Sequence, residues 1–352
     1  MRISFYCAAD GYARFSFDGS SLADGVGGSE SALINLGEAL AEVGHAITVF
    51  GNVQAARTIG DVLYRPVDEV AGHECDTLVL FRFFARLPDD VSCRLRLLWS
   101  HDLPLRDPPY RVHESLAVVD GLVAVSRYHA GLLRAFAERE GFGHLGDRIL
   151  VGGNGVRTEL YRDGPAKQPA RFIYCSVPDR GADELVHIWP RIRRELPDAT
   201  LVVTGGWELR NLPAAKNAPL ASLDGVLHRG VIPRSELVAE QLRAEAHLHP
   251  CGFPELFCLA SMECQAAGAP SVVSNVAALP ETVRGGNTGV VVDGRPGTEQ
   301  FRDAFAVAAV RLVNTRGTLA ETAALAREHA GRFDYRLVAD RWANQLDRWL
   351  EG

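Results

Sequence analysis

Residues 249–293 read HPCGFPELFCLASMECQAAGAPSVVSNVAALPETVRGGNTGVVVD. The order is a Gly/Pro turn, a helix, a short buried strand, a loop and a second buried strand. Pro254 and Glu255 suit the start of the helix, because an acidic side chain in the first turn faces the positive end of the helix dipole. The run LFCLASMECQAA is good helix-former material, and Gly268 is placed to stop it before Ala269-Pro270. Ser271-Val272-Val273 is β-branched and apolar, as a parallel strand covered on both faces should be. On such a helix Glu255 and Glu263 lie about 80° apart around the axis and about 12 Å apart along it. A carboxylate on an otherwise apolar flank needs donors, since burying it alone costs several kcal/mol. Sugar diols supply them. A capping Glu followed by a solvated Glu satisfies the same spacing, and spacing leaves both readings open.

Upstream of this stretch the chain repeats the strand–helix alternation of a parallel sheet. Residues 3–7 read as a first strand, residues 31–43 as an amphipathic helix with Leu33, Leu36, Leu40 and Val43 in register, and residues 46–50 as a second strand. Residues 76–81, 96–99 and 121–125 are further buried-strand candidates. The polar run RDGPAKQPA at 162–170 is the best domain boundary. A second series follows, with strands at 171–175, 201–204 and 246–249, and helices at 183–195, 236–246, 304–313, 319–332 and 335–350. The fold class expected is α/β with two domains. Residues 1–162 form the first, joined by a returning helix at 335–352, and residues 163–334 form the second.

Between the first strand and the first helix lies a loop of about twenty residues, long enough to be a functional loop. It ends in Gly25-Val26-Gly27-Gly28-Ser29-Glu30. This is no dinucleotide fingerprint, because Glu30 stands where the third glycine belongs and the first strand is far away. Glycines feeding a helix N-terminus still present backbone N–H groups to an anion; a turn capped by Ser29 is the plainer alternative. Trp99-Ser100-His101-Asp102 ends a strand at the edge where open α/β sheets place ligands. Asp102 suits either orienting the His101 imidazole or capping the next turn.

Composition narrows the function classes. The 352 residues carry a net charge of −7 with no basic stripe, which argues against nucleic acid as the main partner. No apolar run is long enough to span a bilayer and no leader is visible, so a cytoplasmic protein is expected. The seven cysteines include no C-x-x-C pair and read as reduced. Cys251, Cys258 and Cys264 are expected to be small core residues. His247 and His249 are expected to be structural, since no third ligand follows at a known metal spacing. Of the 37 basic residues only Lys167 and Lys216 are lysines, which reads as the composition of a GC-rich bacterial genome.

The stretch 249–293 resembles the signature of the retaining glycosyltransferases of family GT4, the group 1 glycosyl transferases. Glu255-x7-Glu263, Ala266 to Val273, Leu279-Pro280-Glu281 and Gly289 to Val292 fall in register with it. Gly27-Gly28 resembles the family's GG-x-E loop, W-S-H-D its histidine segment, Ser126-Arg127-Tyr128 its V-S-x-y segment, and residues 151–156 its N-G-V turn. The resemblance implies the GT-B fold: two Rossmann-like parallel-sheet domains facing a cleft, with the C-terminal helix crossing back to the N-terminal domain. Trp342, Leu346 and Trp349 would anchor that helix. It also implies transfer of a hexosyl or hexosaminyl group from a UDP- or GDP-sugar, with retention and without a metal or other cofactor. The chain contains no Asp-x-Asp pair. Glu255 and His101 would carry the catalytic roles. Gly27, Gly28, Arg180, Glu263, Phe257, Cys258, Leu259 and Glu281 would bind the donor, with Glu263 on the ribose. Residues 226–232 resemble the loop that packs on the base.

One departure stands out. The family pairs two cations in the loop after the first strand of the second domain; here Arg180-Gly181 supplies one and Ser176 stands where the other is expected, leaving Arg82, Arg127 or a backbone donor to compensate. That keeps a catalytically silent sugar-nucleotide-binding or partner-binding relative as the alternative, and a sugar-nucleotide epimerase is the other rival. The acceptor (glycan, lipid, small natural product or protein) has no readable code in the loops at 10–25 and 102–110.

Overall fold

Long apolar runs with β-branched residues, such as CDTLVLF at 75–81 and LVVT at 201–204, become strands in the computed structural model, which describes residues 1–7, 17–82, 90–105, 112–210 and 218–351. The two loops expected to meet an acceptor fall partly outside the described residues. By internal contacts the chain divides into two units. One comprises Met1–Leu22, Ser29–Gly155 and Tyr335–Gly352, the other Ala23–Gly28 and Val156–Asp334. The division thus falls at Gly155 rather than within 162–170, and the short segment Ala23–Gly28 joins the second unit.

The first unit is an eight-stranded sheet in the order β3-β4-β2-β1-β5-β6-β7-β8. Its strands are β1 (Arg2–Tyr6), β2 (Ala46–Gly51), β3 (Arg57–Ile59), β4 (Val62–Pro66), β5 (Glu74–Phe81), β6 (Ser92–Trp99), β7 (Gly121–Ala124) and β8 (Ile149–Val151). All neighbours pair in parallel except β3 with β4, an antiparallel edge hairpin that the sequence reading missed. The unit's helices are α1 (Gly28–Glu42), α2 (Val112–Leu116) and α3 (Arg127–Arg139). Ser126 caps α3, its hydroxyl accepting from His129 N–H at 3.0 Å. Phe50, Leu78, Leu80, Leu98, Leu122 and Phe136 pack a core between sheet and helices.

The second unit is a six-stranded parallel sheet in the order β11-β10-β9-β12-β13-β14. It comprises β9 (Arg171–Cys175), β10 (Thr200–Thr204), β11 (Val226–Gly230), β12 (Ala246–His249), β13 (Ser271–Ser274) and β14 (Gly289–Val292). Its helices are α4 (Ala182–Glu195), α5 (Ala218–Ala221), α6 (Arg234–Arg243), α7 (Leu259–Ala266), α8 (Leu279–Thr282), α9 (Glu299–Asn314) and α10 (Arg316–Gly331). Phe172, Trp189, Leu201, Phe301 and Phe305 centre its core. Residues 226–230, expected as loop, are the edge strand β11.

The last helix, α11 (Tyr335–Glu351), returns to the first unit as expected. Trp342 is fully buried, its ring 5.3 Å from Trp99 and 6.3 Å from Phe5 between centroids. Gly153, at φ +99°, makes room for the same Trp99 indole; a Cβ there would lie 2.7 Å from the ring. Trp349 stacks under the Arg148 guanidinium at 5.4 Å. Among the described residues no helix is long and apolar enough to cross a membrane.

Candidate active site

In the second unit the strand order reverses between β9 and β12. Open α/β sheets bind ligands outside the carboxyl ends of their strands at such a switch point. The loop after β9 carries Arg180-Gly181 and the loop after β12 carries residues 250–258. Gly181 has φ +110°, and a Cβ there would stand 2.7 Å from the Pro250 carbonyl oxygen, so only glycine lets the two loops touch. That contact brings Arg180 Nε to 3.3 Å from Glu255 Oε1. The Arg180 guanidinium lies over the Phe253 ring, 3.6 Å from its centroid.

The helix that carries the motif is shorter than expected. It starts at Leu259, and Glu255 precedes it in a loop. Cys258 takes a left-handed conformation at φ +70°, which interrupts any helix that Pro254 begins. The downstream loop holds the segment open: Ala278 N–H donates to the Glu255 carbonyl at 2.9 Å, and the Thr282 hydroxyl donates to the Phe257 carbonyl. The calculated 80° flank therefore does not exist. Glu255 sits at the mouth of α7 instead, beside first-turn N–H groups that have no intrahelical acceptor. Phe257 turns its ring into the core against Phe333 at 5.6 Å, and Cys258 is buried with its Sγ toward His249. Leu259 is half-buried. Gly28 approaches it, since a Cβ on Gly28 would lie 3.4 Å from Leu259 Cδ1. Gly27 belongs to the same joined segment, Ala23–Gly28. Glu281 lies in the first turn of α8, partly exposed.

Glu263 is nearly enclosed and its partners are protein groups. Arg234 Nη1 donates to Oε1 at 2.7 Å and Gln241 Nε2 donates to Oε2 at 3.1 Å. Tyr161 completes the cluster, its hydroxyl donating to Gln241 Oε1 at 2.8 Å. Burial pushes the Tyr161 phenol well up, against the lowering effect of Arg234. Sequence reading missed Arg234. A signal existed: a cation in the first turn of α6 opposes the helix dipole and needs an anion elsewhere.

Cys251, Cys258 and Cys264 are buried in hydrophobic clusters, as expected, and His247 and His249 are buried beside them. His249 Nε2 lies 3.5 Å from Glu255 Oε1 and 3.6 Å from Cys258 Sγ. His249, Cys251 and Glu255 hold donor atoms within 4.8 Å of one another, as do Cys175, His247 and Cys264. Each histidine thus has two further side chains of metal-binding type near it in space, which spacing along the chain did not reveal. Burial, then Glu255, pushes the Cys251 thiol up to about 12.

His101 lies in the first unit, against Phe81 and Trp99 with ring centroids at 5.1 and 4.7 Å. Its Nε2 is enclosed and has no hydrogen-bond partner. Burial, then Arg82 and His129, hold its pKa well below the usual imidazole value, so the ring is neutral. Among the described residues the Asp102 carboxylate meets Arg82 rather than the His101 ring. It forks onto Arg82, with Nε–Oδ2 at 2.9 Å and Nη2–Oδ1 at 3.0 Å. Arg82 also reaches Glu30 at 3.3 Å, so this cation, one of the named compensators, already faces two carboxylates. Arg127 stands exposed at the start of α3.

Residues 170–315 match the family described as glycosyl transferases group 1. This segment is a group 1 glycosyltransferase domain. The chain is 32% identical over 171 residues to the GDP-mannose-dependent alpha-(1-6)-phosphatidylinositol monomannoside mannosyltransferase of Mycobacterium tuberculosis, covering 43% of this chain and 44% of that one. It is 41% identical over 202 residues to the D-inositol 3-phosphate glycosyltransferase of Rhodococcus jostii, covering 55% and 42%. The chain thus spans less than half the length of these curated relatives. Among solved structures, sucrose-phosphate synthase from Thermosynechococcus elongatus superposes with TM-score 0.70 at 18% identity over 99% of both chains. Anabaena HepE, crystallised with UDP and glucose, gives 0.67 at 15% over 99% and 100%. The fold is GT-B, two parallel-sheet α/β domains.

Proposed function

We propose that the protein is a glycosyltransferase that moves a hexosyl or hexosaminyl group from a nucleotide sugar, with retention and without a metal. The observation that carries this reading is the junction of the β9 and β12 loops. A guanidinium and a carboxylate meet there at the switch point, beside the N-terminus of α7. A departing nucleoside diphosphate needs charge stabilisation, and a guanidinium fork plus a helix N-terminus provides it. In the donor complex Arg180 would turn onto the diphosphate while Glu255 accepts hydrogen bonds from the transferred sugar. Glu263, held on both oxygens by Arg234 and Gln241, keeps further lone pairs for a ribose diol. Phe257, Cys258, Leu259, Gly27 and Gly28 would contribute backbone N–H groups and Glu281 a donor contact. His101 would take the transferred sugar or the acceptor as a neutral imidazole.

Mannosyl donors carried on GDP and glucosyl donors carried on UDP are both in keeping with the relatives' names. The acceptor class stays open between glycan, lipid, small natural product and protein. Ser176 at the second cation position favours one rival, a silent nucleotide-sugar binder. Calorimetric titration with UDP, GDP, ADP and their sugars, with and without Mg²⁺, separates the readings when paired with a donor-consumption assay. Micromolar binding that ignores Mg²⁺ and disappears in Arg180→Ala, with slow donor hydrolysis, supports transfer. Binding without any donor consumption supports the silent reading, and binding of no nucleotide refutes both.

A further inference from the structure

Three side chains of metal-binding chemistry converge where β12 ends. His249, Cys251 and Glu255 place one donor atom each within 4.8 Å of the others, and a second thiol, Cys258 Sγ, lies 3.6 Å from His249 Nε2. Tetrahedral zinc with Zn–N and Zn–O near 2.0 Å and Zn–S near 2.3 Å requires donor–donor separations of about 3.3 to 3.8 Å. The His249–Glu255 and His249–Cys258 separations, 3.5 and 3.6 Å, already fall in that range. The imidazole is held in place, fully buried and stacked near-parallel with His247 at 5.6 Å and with Tyr174 at 6.3 Å.

We infer that His249, Cys251, Glu255 and Cys258 form a site for a thiophilic divalent cation such as Zn²⁺ or Cd²⁺. Two thiolates and an imidazole select these ions over Mg²⁺, Ca²⁺ or Mn²⁺, which prefer oxygen. Binding deprotonates the two thiols and draws Glu255 away from Arg180, which keeps Asp179 at 3.8 Å and the Phe253 ring as neighbours. The ligand set stands on these contacts alone. That its occupation silences transfer, by withdrawing the carboxylate meant for the sugar, rests on the function proposed above.

Cobalt(II) is the probe, because its thiolate charge-transfer and tetrahedral d–d absorptions report sulfur ligation without any donor or acceptor present. The reduced protein should bind one Co²⁺ with both features, and Zn²⁺ should displace it. Cys251→Ser, Cys258→Ser and Glu255→Gln should each weaken Co²⁺ binding at least tenfold. Cys175→Ser and Cys264→Ser, which alter the neighbouring cluster, should leave it unchanged. Far-ultraviolet dichroism and melting of each variant separate loss of a ligand from loss of fold, and Glu255→Gln, on a partly exposed side chain, should keep its fold. Absence of a thiolate band in the wild type, its persistence in the Cys251→Ser/Cys258→Ser double variant, or its loss in Cys175→Ser overturns the site. None of these outcomes depends on sugar transfer.

Discussion

One oxygen of Glu255 is shared between the Arg180 guanidinium at 3.3 Å and His249 Nε2 at 3.5 Å. Its charge, more than its shape, is what a transferred sugar would meet. Glu255→Gln keeps the shape and an acceptor oxygen, so its melting temperature should stay near wild type while kcat falls about 100-fold, the usual cost of losing a key transition-state contact. Turnover within tenfold of wild type would remove Glu255 from the mechanism. Glu263 is different in kind, because two protein donors already depend on it. Glu263→Ala should weaken nucleotide binding and also lower stability by about 1–3 kcal/mol, since Gln241 Nε2 and the largely buried Arg234 lose their acceptor. Calorimetry and melting read the two effects separately. An unchanged nucleotide affinity counts against the ribose role, and an unchanged melting point counts against the buttress.

The loop after β9 works only because Gly181 accepts φ +110° with the Pro250 carbonyl against its α-carbon. Gly181→Ala should therefore cost about 2–3 kcal/mol from strain and overlap together, and it should displace Arg180 enough to weaken nucleotide binding. Equal denaturant midpoints for the two proteins would show that the loops do not need to touch. The same junction explains which elements could be read in advance. Strands such as 76–81, 201–204 and 271–273 were legible because apolar β-branched runs become buried strands whatever their neighbours. The start of α7 was not. Cys258 is bent into the left-handed region by hydrogen bonds from residues 278 and 282, which no local propensity encodes. The Arg234–Glu263 pair joins residues 29 apart in sequence, and the His249–Cys251–Glu255–Cys258 grouping follows from that unforeseen bend. The GT4-like motif suggested a helix that does not begin where its first carboxylate stands.

Across the molecule, histidines buried as neutral rings make the fold acid-sensitive. Burial lowers the pKa of His129 from 6.5 to about 4, against a smaller raising effect from the Asp102 carbonyl, which its Nε2 faces at 3.2 Å. His101 in the same unit and His247 in the other are held well below 6.5, again chiefly by burial. A histidine whose folded pKa lies below its unfolded value binds more protons when unfolded. Its contribution is therefore complete above pH 6.5 and is lost as the pH falls toward the folded value. Between pH 7.5 and pH 5, above the range where most carboxylates titrate, His129 alone should account for a loss of about 2 kcal/mol. His101 and His247 act in the same direction. His129→Asn offers an amide oxygen near the position of Nδ1, where Val125 N–H donates at 3.3 Å, and it does not titrate. The difference in urea unfolding free energy between pH 7.5 and pH 5 should shrink by that amount in the variant. Equal pH dependence in variant and wild type would mean that His129 gains its proton inside the folded unit, and that the polar cluster around Asp102 opens more readily than its contacts imply.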